Sequence, residues 1–444
     1  MCTHHGHGSS CGFDEVPDLS PGETTVAGPD RRTFLSLAGA GGAGLLFSSA
    51  EPAAAAARPR RRRRRAYVIV LDGCRPQEIE PTLMPTVARL QRNGHRFPRA
   101  RSLPVMETIP NHVMMMTGVR PDRSGVPANA VYDREEKVVR DLDRPGDLRF
   151  PTLLQRMNRR GYTTGTVLSK EYLYGIFGTR ATHRWEPFPI VPVSGHAPDQ
   201  FTMDATLAMI EEFDPHLVFV NLGDIDRVGH SDYTGTTARA GRRLALTATD
   251  TQIARLESLL KTSGRWDDSL LVFLADHSMD WSLPDRIINL DPAIQDDPFL
   301  AGKVVVAQNG GADLLSWIGP GGHREKAVRR MLRIARAQEG VLRAHDVQAR
   351  RRALRLGDRA GDVLVYCKSG WRFSDPTPFS NPIPGNHGHP ATLPIPFFLS
   401  GGHPVVPRRK VTSTLARTID VAPTVGEFFG MGSPRGGYDG TSRL

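Results

Sequence analysis

Apolar residues along the chain alternate between two patterns, and the alternation predicts a layered α/β fold. Tyr67 to Leu71 (YVIVL) is an uninterrupted apolar run rich in β-branched residues and ended by Asp72-Gly73, which reads as a buried strand. Met84, Val87, Ala88 and Leu90 then recur at helical spacing until Gly94 stops them. Leu153, Leu154 and Met157 before Gly161 predict another helix, leading into a strand around Thr163 to Leu168. The same sequence of signals returns in the strand Leu217 to Asn221 (LVFVN), a helix from about Leu244 to Leu260, and the strand Leu270 to Leu274 (LLVFL). Ile395 to Leu399 is a weaker strand, because Pro396 confines it to a position that needs no ladder donor. Strands alternating with helices imply a mainly parallel sheet with helices on both faces, and ligands in such sheets bind at the carboxyl ends of the strands. Residues 312–359 are Arg-rich and helical in flavour and carry no chemical signal.

The strand ends are where the acids and histidines stand. Asp72 follows the first strand; Asp224, Asp226 and His230 follow LVFVN; Asp276 and His277 follow LLVFL. The only cysteines, at 2, 11, 74 and 367, are too few and too scattered for a disulfide framework or a thiolate zinc site, so a metal here is held by Asp and His. Oxygen and nitrogen donors without thiolates fit zinc or manganese. In Asp226-Arg-Val-Gly-His230 two ligands lie four residues apart, with Gly229 allowing a tight backbone path, and Gly385-Asn-His387-Gly-His389 sets imidazoles in a glycine-rich loop. In Glu107-Thr108-Ile-Pro110-Asn-His112 a hydroxyl stands where a helix begins; Thr108 is placed as the N-cap, with Pro110 in the first turn. Free amides and the positive end of the helix dipole suit a phosphate there.

Charge separates the first 65 residues from the rest. The net charge of +10 over 444 residues is uneven: Arg58 and Arg60 to Arg65 form one basic run, while residues 66–444 hold 48 basic side chains against 41 acidic. Arg31-Arg32-Thr-Phe-Leu-Ser-Leu, the apolar stretch Ala38 to Phe47 and the small residues Ala53 to Ala57 describe an export signal of the twin-arginine type over residues 1–57. It implies handling by the twin-arginine export machinery and a periplasmic, cell-wall-associated or extracellular location. The apolar stretch is too short and too rich in Gly to span a membrane. Cys2, His4, His5, His7 and Cys11 lie on the side of the signal that cleavage removes. Residues 58–65 read as an Arg-rich linker, a solvated arm, and residues 66–444 as the folded domain.

The ordered set Asp72-Gly73, Glu107-Thr108-Ile-Pro-Asn-His112, Thr117-Gly118, Asn129 to Asp133, Asp226-x-x-Gly-His230, Asp276-His277 and Gly-Asn-His387-Gly resembles the type I phosphodiesterase/nucleotide pyrophosphatase branch of the alkaline phosphatase superfamily, with phosphonoacetate hydrolases as relatives. The resemblance implies an alkaline phosphatase-like three-layer α/β/α sandwich with a mainly parallel central sheet. It also implies two divalent ions, zinc first and manganese second: one on Asp72, Thr108, Asp276 and His277, the other on Asp226, His230 and His387. Thr108 is then the nucleophile, forming a phosphothreonine that water hydrolyses, and Asn129 is the amide donor to a phosphoryl oxygen.

Three positions depart from the usual pattern: Ser124 in place of His, Ser278 in place of Gly, and His389 in place of an aromatic residue. His389 either reshapes the substrate pocket or competes with His387 for the ion. Lys170, in Lys170-Glu-Tyr172, either offers a cation to a substrate carboxylate or is a solvated loop residue, the second being preferred. The implied substrate is a small phosphate ester, a diester or pyrophosphate, with no specific nucleic-acid partner. A monoesterase and a phosphonoacetate-type carbon–phosphorus hydrolase share the same core, and a non-catalytic polyanion binder using Arg60 to Arg65 is the reading from another class. A sulfatase is disfavoured because the Thr108 segment lacks the arginine of the sulfatase motif.

Overall fold

In the computed structural model the described residues are 63–187, 195–232, 239–375 and 384–444. The export signal, the Cys/His cluster and Arg58 to Arg62 lie outside them.

The central sheet has eight strands, in the order Lys410–Val411, His95–Arg96, Phe397–Ser400, Ser269–Leu274, Arg65–Leu71, Leu217–Leu222, Thr164–Leu168 and His183–Trp185. The five from Ser269–Leu274 to His183–Trp185 are mutually parallel. Every residue of Arg65–Leu71, Leu217–Leu222 and Ser269–Leu274 is buried. Those apolar runs were readable as strands for that reason: helices cover both faces, so no solvent face demands alternate polar residues. On one side Pro85–Asn93 and Asp199–Phe213 pack against the long helix Ala240–Thr262; on the other Thr108–Thr117 packs against Leu153–Asn158, Glu171–Phe177 and Val421–Phe428. The predicted three layers are present.

Register brings the functional ends together. Leu71 pairs with Leu222, and Val70 with Leu274. The chain therefore leaves three neighbouring strands at one level, delivering Asp72, the helix Asp224–Ser231 and Asp276 side by side.

Three expectations are corrected. The late strand is Phe397–Ser400 and runs antiparallel to Ser269–Leu274; Pro396 precedes it and contributes only its carbonyl, to the Ala275 N–H. The Arg-rich segment is helical in Arg324–Ala337 and Arg351–Leu354, as expected, but it also supplies two strands. It contributes to a second, antiparallel sheet ordered Val304–Asn309, Ala312–Trp317, Val363–Cys367 and Val341–Asp346, on which helix Arg324–Ala337 packs through Val328 and Met331. Finally, the first strand begins at Arg65, and the last three arginines of the basic run are docked. Arg65 is buried and forks onto Asp214 at 2.8 and 2.7 Å, Arg63 reaches the Asp214 carbonyl at 2.5 Å, and Arg64 donates to the Phe428 carbonyl. Burial alone would raise Asp214, but hydrogen bonds from Arg65 and Arg265 outweigh it and hold the carboxyl at about 2. The solvated arm is thereby shortened at its carboxyl end.

Candidate metal centre and nucleophile

Asp72 stands one residue beyond the first strand, in a turn that requires glycine next. Gly73 has φ +70°, and a Cβ there would lie 3.1 Å from the Asp226 side chain. The Gly73 N–H donates to Asp276 Oδ1 at 3.2 Å, so two strand ends are tied together at the ligand level. Behind them Arg242, almost fully buried, bonds both oxygens of Glu78 at 2.7 Å and the carbonyls of Gly73 and Ile225 at 2.8 Å. Gly229 was expected to relax the backbone. Its φ is unexceptional, and its missing Cβ instead leaves room for Arg242, whose Nη1 would lie 2.4 Å from one.

Three buried carboxylates converge, and each keeps one oxygen without a hydrogen-bond partner: Asp72 Oδ1, Asp226 Oδ1 and Asp276 Oδ2. The imidazole nitrogens face those oxygens. His277 Nε2 lies 3.3 Å from Asp276 Oδ2 and 3.8 Å from Asp72 Oδ1; His230 Nε2 and His387 Nε2 lie 3.3 and 4.0 Å from Asp226 Oδ1. The other nitrogen of each ring meets a backbone carbonyl. His277 Nδ1 is 3.0 Å from the Ser278 oxygen, His230 Nδ1 is 2.8 Å from that of Gly385, and His387 Nδ1 is 3.3 Å from that of Met106. A carbonyl only accepts, so Nδ1 carries the proton and Nε2 presents a lone pair, which is how metal-binding histidines are usually oriented. Burial holds His277 at about 4 and His387 well below its ordinary value, so both rings are neutral. Orphaned carboxylate oxygens opposite neutral imidazole lone pairs are a donor set for divalent cations, and the residues present fit two such ions.

Lys170 is not a solvated loop residue. It is completely buried, with Nζ 2.8 Å from Asp72 Oδ2 and 2.7 Å from Asp226 Oδ2, bridging a carboxylate of each ligand group. Burial raises Asp72 and the Asp276 charge adds to this, against Lys170, so Asp72 stands above the ordinary carboxylate range. For Asp226 the penalty of burial is more than offset by Lys170 and His230, which hold it well below that range.

The helix that carries Thr108 begins at Thr108 itself, with Glu107 as the N-cap residue, one position earlier than expected. Thr108 Oγ1 is 3.2 Å from His277 Nε2. Asn129 accepts the Ile109 N–H on Oδ1 at 2.9 Å, and its own N–H donates to Glu107 Oε2 at 2.8 Å. With Oδ1 used in this way, Nδ2 is the group left to face a ligand. Burial raises Glu107 to about 8, the Asn129 N–H only partly offsetting it. His112, four residues into the same helix, has both nitrogens engaged, Nδ1 with the Thr108 carbonyl at 2.8 Å and Nε2 with Asn221 at 3.0 Å, so it supports rather than ligates.

His389 is turned away. Its Nε2 bonds Asp280 Oδ2 at 3.0 Å and it does not line the cavity, so it neither competes with His387 nor meets substrate. Ser278 supplies the carbonyl that orients His277. The Ser124 hydroxyl is buried without a partner, and nothing in the structure explains the choice of serine there.

A cavity of about 270 Å³ opens onto the cluster and is lined by Asn129, Asp226, His230 and His387, together with Tyr172 and Arg227. Sequence reading passed over Arg227 and the Glu107–Asn129 link. The signal for Arg227 was its place in the short segment between the candidate ligands Asp226 and His230; the Glu107 contact spans 22 residues and leaves no local signal.

The family model described as type I phosphodiesterase/nucleotide pyrophosphatase matches residues 66–388. Bis(5'-adenosyl)-triphosphatase ENPP4 of Bos taurus is 21% identical over 380 residues, covering 82% of this chain and 78% of its own. Murine ectonucleotide pyrophosphatase/phosphodiesterase 5 superposes with a TM-score of 0.69 at 16% identity, over 83% of this chain and 96% of that one. Phosphonoacetate hydrolase from Sinorhizobium meliloti gives 0.63 at 20% identity, over 83% and 95%. The family match spans every predicted ligand from Asp72 to His387, and by it this chain belongs to the type I phosphodiesterase/nucleotide pyrophosphatase family, enzymes that hydrolyse phosphoric esters.

Proposed function

We propose that the protein is an exported two-metal hydrolase that cleaves phosphodiester or pyrophosphate bonds through a phosphothreonine intermediate. The observation that carries this is the position of the Thr108 hydroxyl, at the first residue of a buried helix and 3.2 Å from a neutral imidazole in a cluster of orphaned carboxylate oxygens. Asp72, Thr108, Asp276 and His277 would hold one ion, and Asp226, His230 and His387 the other, with zinc preferred. Bound there, divalent ions would acidify the threonine hydroxyl and a water and offset charge on the ester.

The chain's own groups do the rest. Thr108 Oγ attacks phosphorus, the bond to the leaving oxygen breaks, and the phosphoryl group passes to the threonine until water displaces it. Asn129 Nδ2 and the Thr108 N–H at the helix start donate to the phosphoryl oxygens as charge builds on them. Lys170, engaged by Asp72 and Asp226, is not offered to a substrate carboxylate. The curated relative is named for hydrolysis of a bis(5'-adenosyl) triphosphate, which agrees with a pyrophosphate bond.

Ion content measured together with hydrolysis of bis(p-nitrophenyl) phosphate and p-nitrophenyl phosphate tests this reading. About two ions per chain and faster diester cleavage are expected. In the same assay Asn129→Ala should lower kcat by about 10²–10³ at unchanged ion content; a normal rate would remove Asn129 from the oxyanion site. Ions without cleavage of either ester would point to another substrate class, and absence of ions would refute the two-metal reading. Export is tested separately. Replacing Arg31 and Arg32 by lysine should leave the protein in the producing cell, and unaltered translocation would exclude the twin-arginine route.

A further inference from the structure

The helix Asp224–Ser231 carries Arg227 one residue after Asp226 and three before His230. Successive residues of a helix turn by about 100°, so Arg227 leaves the face shared by those ligands and reaches the wall of the same cavity. The Arg227 guanidinium makes no hydrogen bond or ion pair with any described residue, and its Nε is buried without an acceptor. Some sheltered arginines of this protein are held by carboxylates: Arg242 forks onto Glu78, Arg140 onto Asp147 and Arg65 onto Asp214, whereas Arg180, Arg239 and Arg372 share with Arg227 a buried Nε that lacks an acceptor among the described residues. The neighbouring carboxylates are already committed. Asp72 and Asp226 give Oδ2 to Lys170 and turn Oδ1 toward the histidines. Arg372, also at the cavity, donates from Nη1 to Ser282 Oγ at 2.8 Å. Arg227 is partly buried, and a guanidinium nitrogen shut off from water and given no acceptor is costly unless a ligand supplies one.

We propose that Arg227 binds a second anionic group of the substrate, a phosphate or a carboxylate adjacent to the phosphoryl group being transferred. This rests on the phosphoryl-transfer reading above and narrows it, because a planar fork of donors matches both anions bidentately. Charge balance agrees. Two divalent ions, Lys170 and Arg227 exceed the three ligand carboxylates by three positive charges, more than a simple diester monoanion neutralises and close to what a pyrophosphate or a phosphonocarboxylate brings.

The test measures binding, so that it stands independently of turnover. Zinc-loaded Thr108→Ala and Thr108→Ala/Arg227→Met proteins, with ion content determined for each, are titrated calorimetrically with methylphosphonate, phosphonoacetate and methylenediphosphonate. The Thr108→Ala protein should bind a probe with two anionic groups at least about tenfold more tightly than methylphosphonate, which has one, a gain of the size charge-assisted bidentate bonds provide. Arg227→Met should reduce that preference below about threefold, and Arg227→Lys should keep part of it. Whichever of phosphonoacetate and methylenediphosphonate gains more identifies the second group as carboxylate or phosphate. Equal affinity for all three probes in the Thr108→Ala protein, or a preference that survives Arg227→Met, overturns the assignment. The first of these outcomes decides the matter even if the arginine variant loses zinc. Failure of the wild type to cleave any phosphoric ester would instead overturn the phosphoryl-transfer reading, leaving the binding ratio to judge Arg227.

Discussion

Thr108→Ala should lower phosphodiester turnover by about four orders of magnitude or more while the protein still folds and binds substrate analogues. The size follows from what the substitution removes. Without Oγ there is no group to form the covalent intermediate, and effects of this magnitude attend loss of the nucleophile in enzymes whose remaining groups still stabilise charge. The fold should tolerate the change. Thr108 is the first residue of its helix, its backbone geometry is ordinary, and alanine is a good helix former there. Glu107, Asn129 and the Asn111 amide, whose Nδ2 donates to the carbonyls of Leu103, Val105 and Glu107, keep the helix start in place. The measurement is single-turnover hydrolysis beside a thermal melt and ion content. Turnover within about tenfold of wild type would exclude covalent catalysis by Thr108 and leave direct attack by water.

The parallel core could be read from sequence because strands buried on both faces appear as continuous apolar runs, and the residues just past them carry the chemistry by topology alone. Asp72, Asp226 and Asp276 were found in that way, without any contact being known. The second sheet could not be found by the same rule. Val341–Asp346 buries Val341 and Ala344 but exposes Leu342 and Arg343, so it shows no clean period of two, and arginine is a good helix former that biases the reading toward helix. His389 failed for a different reason. Its neighbour in space is Asp280, 109 residues away, and nothing local to Gly385–His389 distinguishes a ring pointing at an ion from one pointing at that carboxylate. Lys170 failed in the same way and with greater consequence, since its partners lie 98 residues before it and 56 after it in the chain.

Lys170→Met should therefore have the largest effect on stability of any single substitution in the cluster. The methionine replaces the stem at similar volume and removes only the charge that Asp72 and Asp226 share. Breaking a buried ion pair from one side costs roughly 3–5 kcal/mol, because the carboxylates remain buried without compensation. In a domain of this size that corresponds to a fall in the metal-free melting temperature of about 4–6 °C. Divalent ions bring positive charge to the Oδ1 side of the same carboxylates, so saturating zinc should recover part of the loss, and the gap between wild type and variant should be narrower with metal than without it. The comparison separates two roles that a single melt would confuse. A gap that is equal with and without zinc would mean Lys170 is merely core packing, whereas no gap at all would mean that the two aspartates do not depend on it. If the gap narrows, Lys170 is the element that holds the two ligand groups in register before any ion binds, joining the end of the first strand to the helix that carries Asp226.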